Sequence, residues 1–164
     1  GVWRVEELTI NYRTPARIAA LADRVLAAMD RDVTPPRAVR EGEHDPGDHH
    51  VDDATAEVVR LATELAAAPG RSVVVADASR CVALSGALVD AGVDAALGPH
   101  GLDVAVAVMS PTEVKGLEFD NVVLVEPAQV RAAATGLADL YVALTRATSR
   151  LEIVREGDLP PELA

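Results

Sequence analysis

Apolar residues along this chain fall into two patterns, short uninterrupted runs and longer runs with helical spacing. Strands that are apolar at every position are usually buried on both faces, as happens in parallel sheets covered by helices. The uninterrupted runs therefore predict buried strands, and shorter or mixed runs predict further strands. The predicted strands are Arg4–Ile10, Arg37–Arg40, Ser72–Ala76, Val93–Leu97, Val104–Met109, Asn121–Val125 and Arg150–Val154.

Four segments place apolar residues on one face at helical spacing. The first helix is expected to start at Thr14 and Pro15, since threonine is a good N-cap and proline suits the first helical position. Because helices alternate with strands, the sequence predicts an α/β fold with a mainly parallel sheet and helices on both faces. The other three helices are expected from about Asp53 to Ala68, from Ser79 as N-cap to Gly92, and from about Gly136 to Ala147.

Two polar segments are expected to lie outside the packed core. Glu41–Asp53 is acidic and rich in turn residues, so it is predicted to be a surface loop. Its histidines and aspartates could bind a divalent metal, but no predicted element fixes their geometry, and a solvated loop is the preferred interpretation. Residues 1–155 are expected to form one domain, and 156–164 a frayed C-terminal tail.

Length and composition narrow the class of protein further. The chain has 164 residues, of which 49 % are apolar, enough for one domain with a sizeable core. Its formal net charge of −11 argues against broad electrostatic binding of nucleic acid, so any such contact must be local. The single Cys81 fits a reducing cytoplasm, and the absence of a long apolar run argues against a membrane partner. The abrupt start in an extended segment suggests a piece of a longer protein.

Polar residues at the ends of predicted strands are the candidates for chemistry, because ligands of parallel α/β sheets gather at the carboxyl ends of the strands. Three clusters qualify: Asn11-Tyr12-Arg13, the segment Ser110–Asp120, and Thr145-Arg146. Lys115 in the second cluster is the one lysine in a chain whose other basic residues, apart from histidine, are arginines. Taken singly, these residues could be ordinary surface charges, and Tyr12 could belong to the core.

Taken together, the clusters would make half of a nucleotide site. A guanidinium is a planar fork of donors that suits phosphate, and it stays charged at ordinary pH. A tyrosine can stack on a base, and a glutamate held between apolar neighbours, as Glu118 is, can accept hydrogen bonds from ribose hydroxyls. The phosphate-binding loop G-x-x-x-x-G-K-[ST] is absent. No pair of acidic residues that could hold Mg²⁺ follows an apolar strand. Glu126 is a lone candidate after Asn121–Val125, and it is interpreted instead as a charge at the start of a helix. The isolated chain is therefore expected not to hydrolyse ATP.

Three segments resemble helicase motifs of the UvrD/Rep-like superfamily 1 proteins. LTINYRTPARIAALADRVL (Leu8–Leu26) resembles motif IV, SPTEVKGLEFDNVVLVEP (Ser110–Pro127) resembles motif V, and LYVALTRATSRLEIV (Leu140–Val154) resembles motif VI. They occur in the family's order and span nearly the whole chain. The chain thus resembles the second RecA-like domain of such proteins, the C-terminal half of the motor.

This resemblance implies a role for each matching residue. Tyr12 would lie against the adenine, Arg13 would reach the γ-phosphate, and Glu118 would bind the ribose. Arg146 would be the arginine finger, supplied across the cleft between two motor domains, where such a group can be worth about 10³ in rate. The implied cofactor is ATP with Mg²⁺, the metal being held mainly by the first RecA-like domain of the same chain.

Motif V also departs from the pattern T-x-H-x-x-K-G that is usual in DNA-translocating relatives. Thr112 stands at the histidine position, and Glu113 adds a negative charge, while Lys115 and Gly116 are kept and would couple nucleotide state to the track. The departures are either sequence drift or the mark of a different track. The sequence S-P-T-E-V-K-G-L-E-F-D is closest to the HelD branch, whose members bind RNA polymerase and use ATP to release it from nucleic acid.

The favoured expectation is therefore a HelD-like motor domain that helps to remodel complexes of nucleic acid with RNA polymerase. One alternative is a UvrD/Rep-like helicase domain that translocates on single-stranded DNA. The other is a non-catalytic RecA-like interaction module that has lost its partner domain.

Overall fold

The computed structural model describes residues 10–11, 14–29, 37–38, 44–98 and 103–164. The strands within these ranges are β1 (Ile10–Asn11), β2 (Arg37–Ala38), β3 (Gly47–His50), β4 (Ser72–Val75), β5 (Ala95–Leu97), β6 (Val106–Met109), β7 (Phe119–Val125) and β8 (Ala147–Arg155). The helices are α1 (Ala16–Ala28), α2 (Ala54–Ala66), α3 (Ala78–Asp90), α4 (Pro111–Val114), α5 (Pro127–Ala132) and α6 (Gly136–Leu144).

Six strands form one sheet in the order β3-β8-β7-β4-β6-β5, and every neighbouring pair in it is parallel. β1 and β2 pair with each other in a separate parallel sheet of two strands. The prediction of an α/β fold with a parallel sheet is therefore confirmed. The predicted first strand, apart from Ile10, lies outside the described residues.

Helices cover both faces of the sheet, as predicted. Val73 and Val75 of β4 face a core cluster that contains α1 and α6, whereas Val74 between them faces a cluster that contains α2 and α3. Successive side chains of a strand point to opposite faces, so a strand covered on both sides must be apolar at every position. This is the physical reason for the uninterrupted apolar runs. None of the helices in the described ranges has the length and apolar character needed to cross a membrane.

Two predicted helix caps are shifted in the structure. α1 has Pro15 rather than Thr14 at its N-cap position, because ψ at Pro15 is 146° and the ring fixes only φ. α3 is capped by Asp77 rather than Ser79, and the Asp77 carboxylate accepts a hydrogen bond from the Ser79 backbone N–H at 3.1 Å. Hydrogen bonds from Ser79 also lower the pKa of Asp77. α2 begins as predicted, with Asp53 as its N-cap.

The predicted surface loop Glu41–Asp53 is wrong in one part, because it contains strand β3 at an edge of the sheet. β3 pairs with the end of β8, and its polar side chains find charged partners there. His49 Nε2 lies 2.6 Å from Glu152 Oε2, and Arg155 Nε donates to Asp48 Oδ1 at 2.9 Å. Among the described residues, no group of three histidine, cysteine or acidic side chains could hold a metal ion.

The C-terminal tail is packed rather than frayed. Leu163 is 6 % exposed and belongs to the core cluster under α1 and α6. Arg131 Nε donates to Glu162 Oε1 at 3.1 Å, and the Arg24 guanidinium donates to the carbonyl of Ala164. Apolar side chains, Leu163 and the partly buried Leu159, and two polar contacts therefore attach this segment to the domain.

Candidate functional site

The motif V segment runs from one edge of the sheet to the other. β6 ends at Met109 and β7 begins at Phe119, and both strands lie parallel to β4. The chain between them must therefore return from the carboxyl edge to the amino edge, a distance of about 13 Å for four residues of strand. Ser110 consequently lies at the carboxyl edge and Glu118 at the amino edge.

A capping box builds the carboxyl-edge end of motif V. Glu113 N–H donates to Ser110 Oγ at 3.4 Å, and Ser110 N–H donates to Glu113 Oε1 at 3.0 Å. Pro111 occupies the first helical position of α4, where its missing N–H costs nothing. Glu113 thus has a local structural role, since a capping box needs a glutamate or glutamine three residues after the cap. Thr112 beside it is exposed.

The turn after α4 contains Lys115 and Gly116, both of them exposed. Gly116 has a φ of 83°, in the left-handed region that favours glycine, and a Cβ added there would meet nothing within 4 Å. In the part of the chain that the structure describes, the Lys115 ammonium group has neither a hydrogen bond nor an ion pair. The turn is thus defined by its backbone conformation rather than by side-chain contacts.

A pair of alanine substitutions isolates that backbone effect. Gly116→Ala is expected to destabilise the domain by about 1 kcal/mol, because left-handed φ disfavours a Cβ. Gly86→Ala on α3 is the matched control, since a Cβ there also meets nothing within 4 Å and the helix should gain about 0.5–1 kcal/mol. Urea unfolding of both variants measures the difference. Equal free energies of unfolding in the two variants would contradict the role given to the φ of Gly116.

Glu118 and Arg146 come together at the amino edge through hydrogen bonds that flank the glutamate. Arg146 Nη1 donates to the carbonyl of Leu117 at 3.2 Å, and Phe119 N–H donates to the carbonyl of Arg146 at 3.0 Å. Leu117 and Phe119 are the two neighbours of Glu118, so the start of β7 is bonded to the chain that leads into β8. The structure thereby joins motif V to motif VI.

This arrangement corrects the expectation that the whole of Ser110–Asp120 lies at the carboxyl end of a strand. Glu118 directly precedes β7, and Arg146 directly precedes β8, so both lie at the amino edge. The sequence prediction placed the whole of Ser110–Asp120 after one strand, although its last residues lead into the next. Only the Ser110 end of that segment lies at the carboxyl edge.

Residues at the end of α6 hold the Arg146 side chain through hydrogen bonds. Arg146 Nε donates to the carbonyl of Val142 at 3.0 Å, and Nη2 donates to Thr145 Oγ1 at 3.1 Å. The Thr145 hydroxyl in turn donates to the carbonyl of Tyr141 at 2.9 Å. Burial and the nearby charge of Asp23 raise the pKa of Tyr141. Nothing in the sequence pattern indicated that Thr145 supports Arg146, because its hydrogen bonds to Arg146 and Tyr141 depend on the conformation of the last turn of α6.

The first turn of α1 lies at the same end of α6 as Arg146. Met29, just past the end of α1, lines one cavity with Gly136 and Leu137 at the start of α6, and Asp23 lies near Tyr141 in the middle. The two helices are therefore antiparallel, and a rise of about 1.5 Å per residue brings the beginning of α1 to the end of α6. Tyr12 and Arg13, which precede this helix, lie outside the described residues.

A depression of about 250 Å³ opens beside Glu118 at the amino edge. It is formed where β4, β7 and β8 begin, so Glu118 and Asp120 both border a concave surface. Thr148, which also lines the depression, donates from Oγ1 to the carbonyl of Phe119 at 3.3 Å. The sequence patterns did not indicate Arg71 or Thr148, because neither occupies a helicase-motif position to which the resemblance assigns a role. The depression is lined by Arg71, Glu118, Phe119, Asp120 and Thr148.

Residues 73–155 match the family model described as the viral superfamily 1 RNA helicase core domain. The chain belongs to this family. The matched region runs from β4 to β8 and so contains both motif V and motif VI. No curated protein sequence matches the chain.

Two solved structures are similar to this chain. The C-terminal domain of a possible DNA helicase from Lactobacillus plantarum WCFS1 is similar with a TM-score of 0.72 and 22 % identity, over 94 % of this chain and 92 % of that one. An arterivirus nonstructural protein 10 helicase in complex with DNA is similar with a TM-score of 0.49 and 15 % identity, over 70 % of this chain and 29 % of that one. The first similarity confirms the predicted RecA-like fold.

The polar groups of this helicase core domain fit one part of a nucleotide. Arg146 places a guanidinium, a group that can bind phosphate, at the amino edge, and Glu118 places a carboxylate beside the depression there. Glu126, considered as a metal ligand, instead begins α5 with a φ of 49° and accepts a hydrogen bond from the Glu156 N–H at 2.6 Å. Its carboxylate also lies 3.9 Å from Arg80. The described residues therefore suit the ribose and a phosphate, and not the Mg²⁺ ion.

Cys81 is buried on α3, as the sequence predicted. Burial, with a smaller contribution from nearby carboxylates, raises the pKa of its thiol to about 11. Because the thiolate is the reactive form of cysteine, burial and the raised pKa disfavour reactivity of this thiol at neutral pH.

Proposed function

We propose that this domain is the second motor domain of an ATP-dependent superfamily 1 helicase or translocase, and that it completes an ATP site whose larger part belongs to the first RecA-like domain. The observation that carries the proposal is the hydrogen bond from Arg146 to the Leu117 carbonyl, 3.2 Å long, directly beside Glu118. A phosphate-binding cation and a ribose-binding acceptor need this closeness to act on one nucleotide. The proposed domain spans residues 1–155, with 156–164 as the tail.

In this proposal Arg146 is the arginine finger. Its guanidinium would exchange carbonyl contacts within the domain for oxygen atoms of the γ-phosphate, and would stabilise the negative charge that develops there during phosphoryl transfer. Glu118 would accept hydrogen bonds from the ribose hydroxyls. Tyr12 and Arg13 would contact the adenine and the γ-phosphate from the segment before α1. ATP itself supplies the leaving group, with Mg²⁺ bound to the other domain.

Motif V would couple this nucleotide site to the track. Thr112 lies in α4 and Lys115 directly follows it, and the left-handed turn at Gly116 links them to the Leu117 carbonyl that holds Arg146. A displacement of α4 by the track would therefore be transmitted along a few residues of backbone to the arginine finger. The short helix and its capping box make that segment stiff enough to transmit a movement.

The track proposed here is a complex of nucleic acid with RNA polymerase, as in the HelD branch. The net charge of −11 supports a protein partner over extended contact with bare phosphates. Glu113 does not favour any particular track, because its place in the capping box at the start of α4 already accounts for it. Translocation on single-stranded DNA, as in UvrD and Rep, is the main alternative. RNA is a further candidate, since the family model is named for RNA helicases. For each of these tracks, the proposed location of the protein is the cytoplasm.

ATP hydrolysis by the full-length protein tests both the motor and its track. The protein is assayed alone, with single-stranded DNA, with single-stranded RNA, and with RNA polymerase bound to a nucleic-acid scaffold. We expect hydrolysis in the full-length protein and none in the isolated domain, with clear stimulation by the polymerase complex and copurification with the enzyme. Strong stimulation by DNA or RNA alone would favour the alternatives. Absence of hydrolysis under every condition would support a non-catalytic interaction module instead.

A further inference from the structure

Arg71 differs from the other arginines whose side chains the structure describes. Each of the others donates a hydrogen bond or forms an ion pair, for example Arg60 with Glu57 and Arg155 with Asp48. The Arg71 guanidinium has no such partner in the described residues, although the chain carries a formal net charge of −11. A cation that stays unpaired amid so many carboxylates needs an explanation.

Arg71 is fixed in position although its guanidinium is unpaired. Its guanidinium carbon lies 5.1 Å from the centre of the Phe119 ring, and that ring is 2 % exposed. Its backbone N–H donates to Asp120 Oδ2 at 2.7 Å. Gly70 precedes it with a φ of 101°, and a Cβ there would lie 2.9 Å from the Asp120 carboxylate. The turn into β4 is thus clamped onto the start of β7.

Stacking on a ring leaves the N–H donors of a guanidinium at its edge, where they remain able to bind an anion. Arg71 lines the same depression as Glu118. Neither Glu118 nor Asp120 lies close enough to Arg71 for an ion pair with its side chain. The depression therefore offers a carboxylate that accepts hydrogen bonds and, beside it, a cation with donors available.

We propose that Arg71 is a further nucleotide-positioning residue, which donates to the phosphate attached to the ribose that Glu118 binds. In a nucleotide the α-phosphate is the anionic group next to the sugar, so a cation lining the ribose depression is placed to meet it. This inference rests on the proposed function. It differs from the role of Arg146, because a contact to the α-phosphate is the same before and during hydrolysis and so affects binding rather than the chemical step.

Steady-state kinetics of the full-length protein test the proposal. Arg71→Ala is expected to raise the KM for ATP about tenfold, the effect of losing one charge-assisted hydrogen bond, with kcat changed less than about twofold. Arg71→Lys should recover part of the loss, since it keeps the charge but not the fork. Arg60→Ala is the matched control, because Arg60 lies on α2 away from the depression, and its KM should equal that of the parent.

Competition by AMP and by adenosine separates a phosphate contact from a general loss of structure. In Arg71→Ala, inhibition by AMP should weaken about tenfold, while inhibition by adenosine, which has no phosphate, should stay unchanged. Equal weakening of both would show that Arg71 only holds the depression in shape, and unchanged KM and inhibition would show that it does not meet the nucleotide. Either result overturns the inference while the parent protein still hydrolyses ATP. A parent without ATPase activity would instead remove the proposed function and this inference with it.

Discussion

Replacing Arg146 with alanine is expected to lower ATP turnover by the full-length protein about a thousandfold, while ATP binding is largely kept. The guanidinium is held at the amino edge by hydrogen bonds to Val142 and Leu117, and Glu118 lies next to the second of these. In the proposed site its charge acts on the γ-phosphate during transfer, so its loss affects the chemical step more than the bound ground state. Turnover is measured with saturating ATP, and binding is measured with a fluorescent ATP analogue.

Two variants make the Arg146 result specific. Arg146→Lys keeps a positive charge but loses the planar fork, so turnover should stay far below that of the parent. Arg60→Ala removes an exposed arginine from α2 and should leave turnover unchanged. Turnover of Arg146→Ala within tenfold of the parent would rule out the arginine-finger role. A parallel loss of ATP binding would instead mean that Arg146 supports the fold of motif V.

Replacing Phe119 with alanine is expected to destabilise the isolated domain by about 3–5 kcal/mol, the usual cost of removing a buried aromatic ring. Phe119 is 2 % exposed and packs in the core cluster with Leu124 and Leu144. It is also the ring beneath Arg71 and the residue that follows Glu118. A loss of this size is a large part of the 5–15 kcal/mol that stabilises a typical domain. Urea unfolding followed by circular dichroism measures it.

Val82→Ala is the control for the Phe119 substitution. Val82 is 71 % exposed on α3, so its replacement should change the free energy of unfolding by less than about 0.5 kcal/mol. Phe119→Leu should recover much of the loss, because it refills most of the space with apolar atoms. If Phe119→Ala were as stable as Val82→Ala, the ring could not be the support for the start of β7.

Several elements could be predicted because their local sequence pattern is compatible with only one type of secondary structure. β4 is buried at every position and apolar from Val73 to Val75, which fits a strand covered on both faces, and α2 combines a capping aspartate with an apolar stripe. Cys81 was predicted to be a small buried residue of a helix, and it is buried on α3. In each case the residues that determine the element lie next to one another in the chain.

β3 could not be predicted from its own residues. The sequence Gly-Asp-His-His has neither an apolar run nor an alternation of apolar and polar residues. It becomes a strand because Glu152 and Arg155 of β8, about a hundred residues later in the chain, pair with His49 and Asp48. The C-terminal tail follows the same logic, since its two leucines, Leu159 and Leu163, are separated by polar and proline residues and are covered only by the assembled core.

The candidate site shows the same division. The resemblance to helicase motifs pointed to Glu118 and Arg146, and the structure brings the two chain segments together at one edge of the sheet. The edge itself was predicted wrongly, because a residue between two strands belongs to either edge until the path of the connection is known. Arg71 carried no signal at all, since its importance depends on Phe119 and on the depression.

By itself, the sequence determined the alternation of strands and helices, the parallel α/β class and the motifs that resemble a superfamily 1 motor, because these depend on side-chain periodicity and on short stretches of chain. Only the tertiary structure decided that Arg146 is bonded to the carbonyl beside Glu118, that polar residues 47–50 form a strand, and that Arg71 is left unpaired on Phe119. The physical reason is that hydrogen bonds and ion pairs between distant segments depend on where the packed sheet places their backbones, and local patterns do not encode that placement.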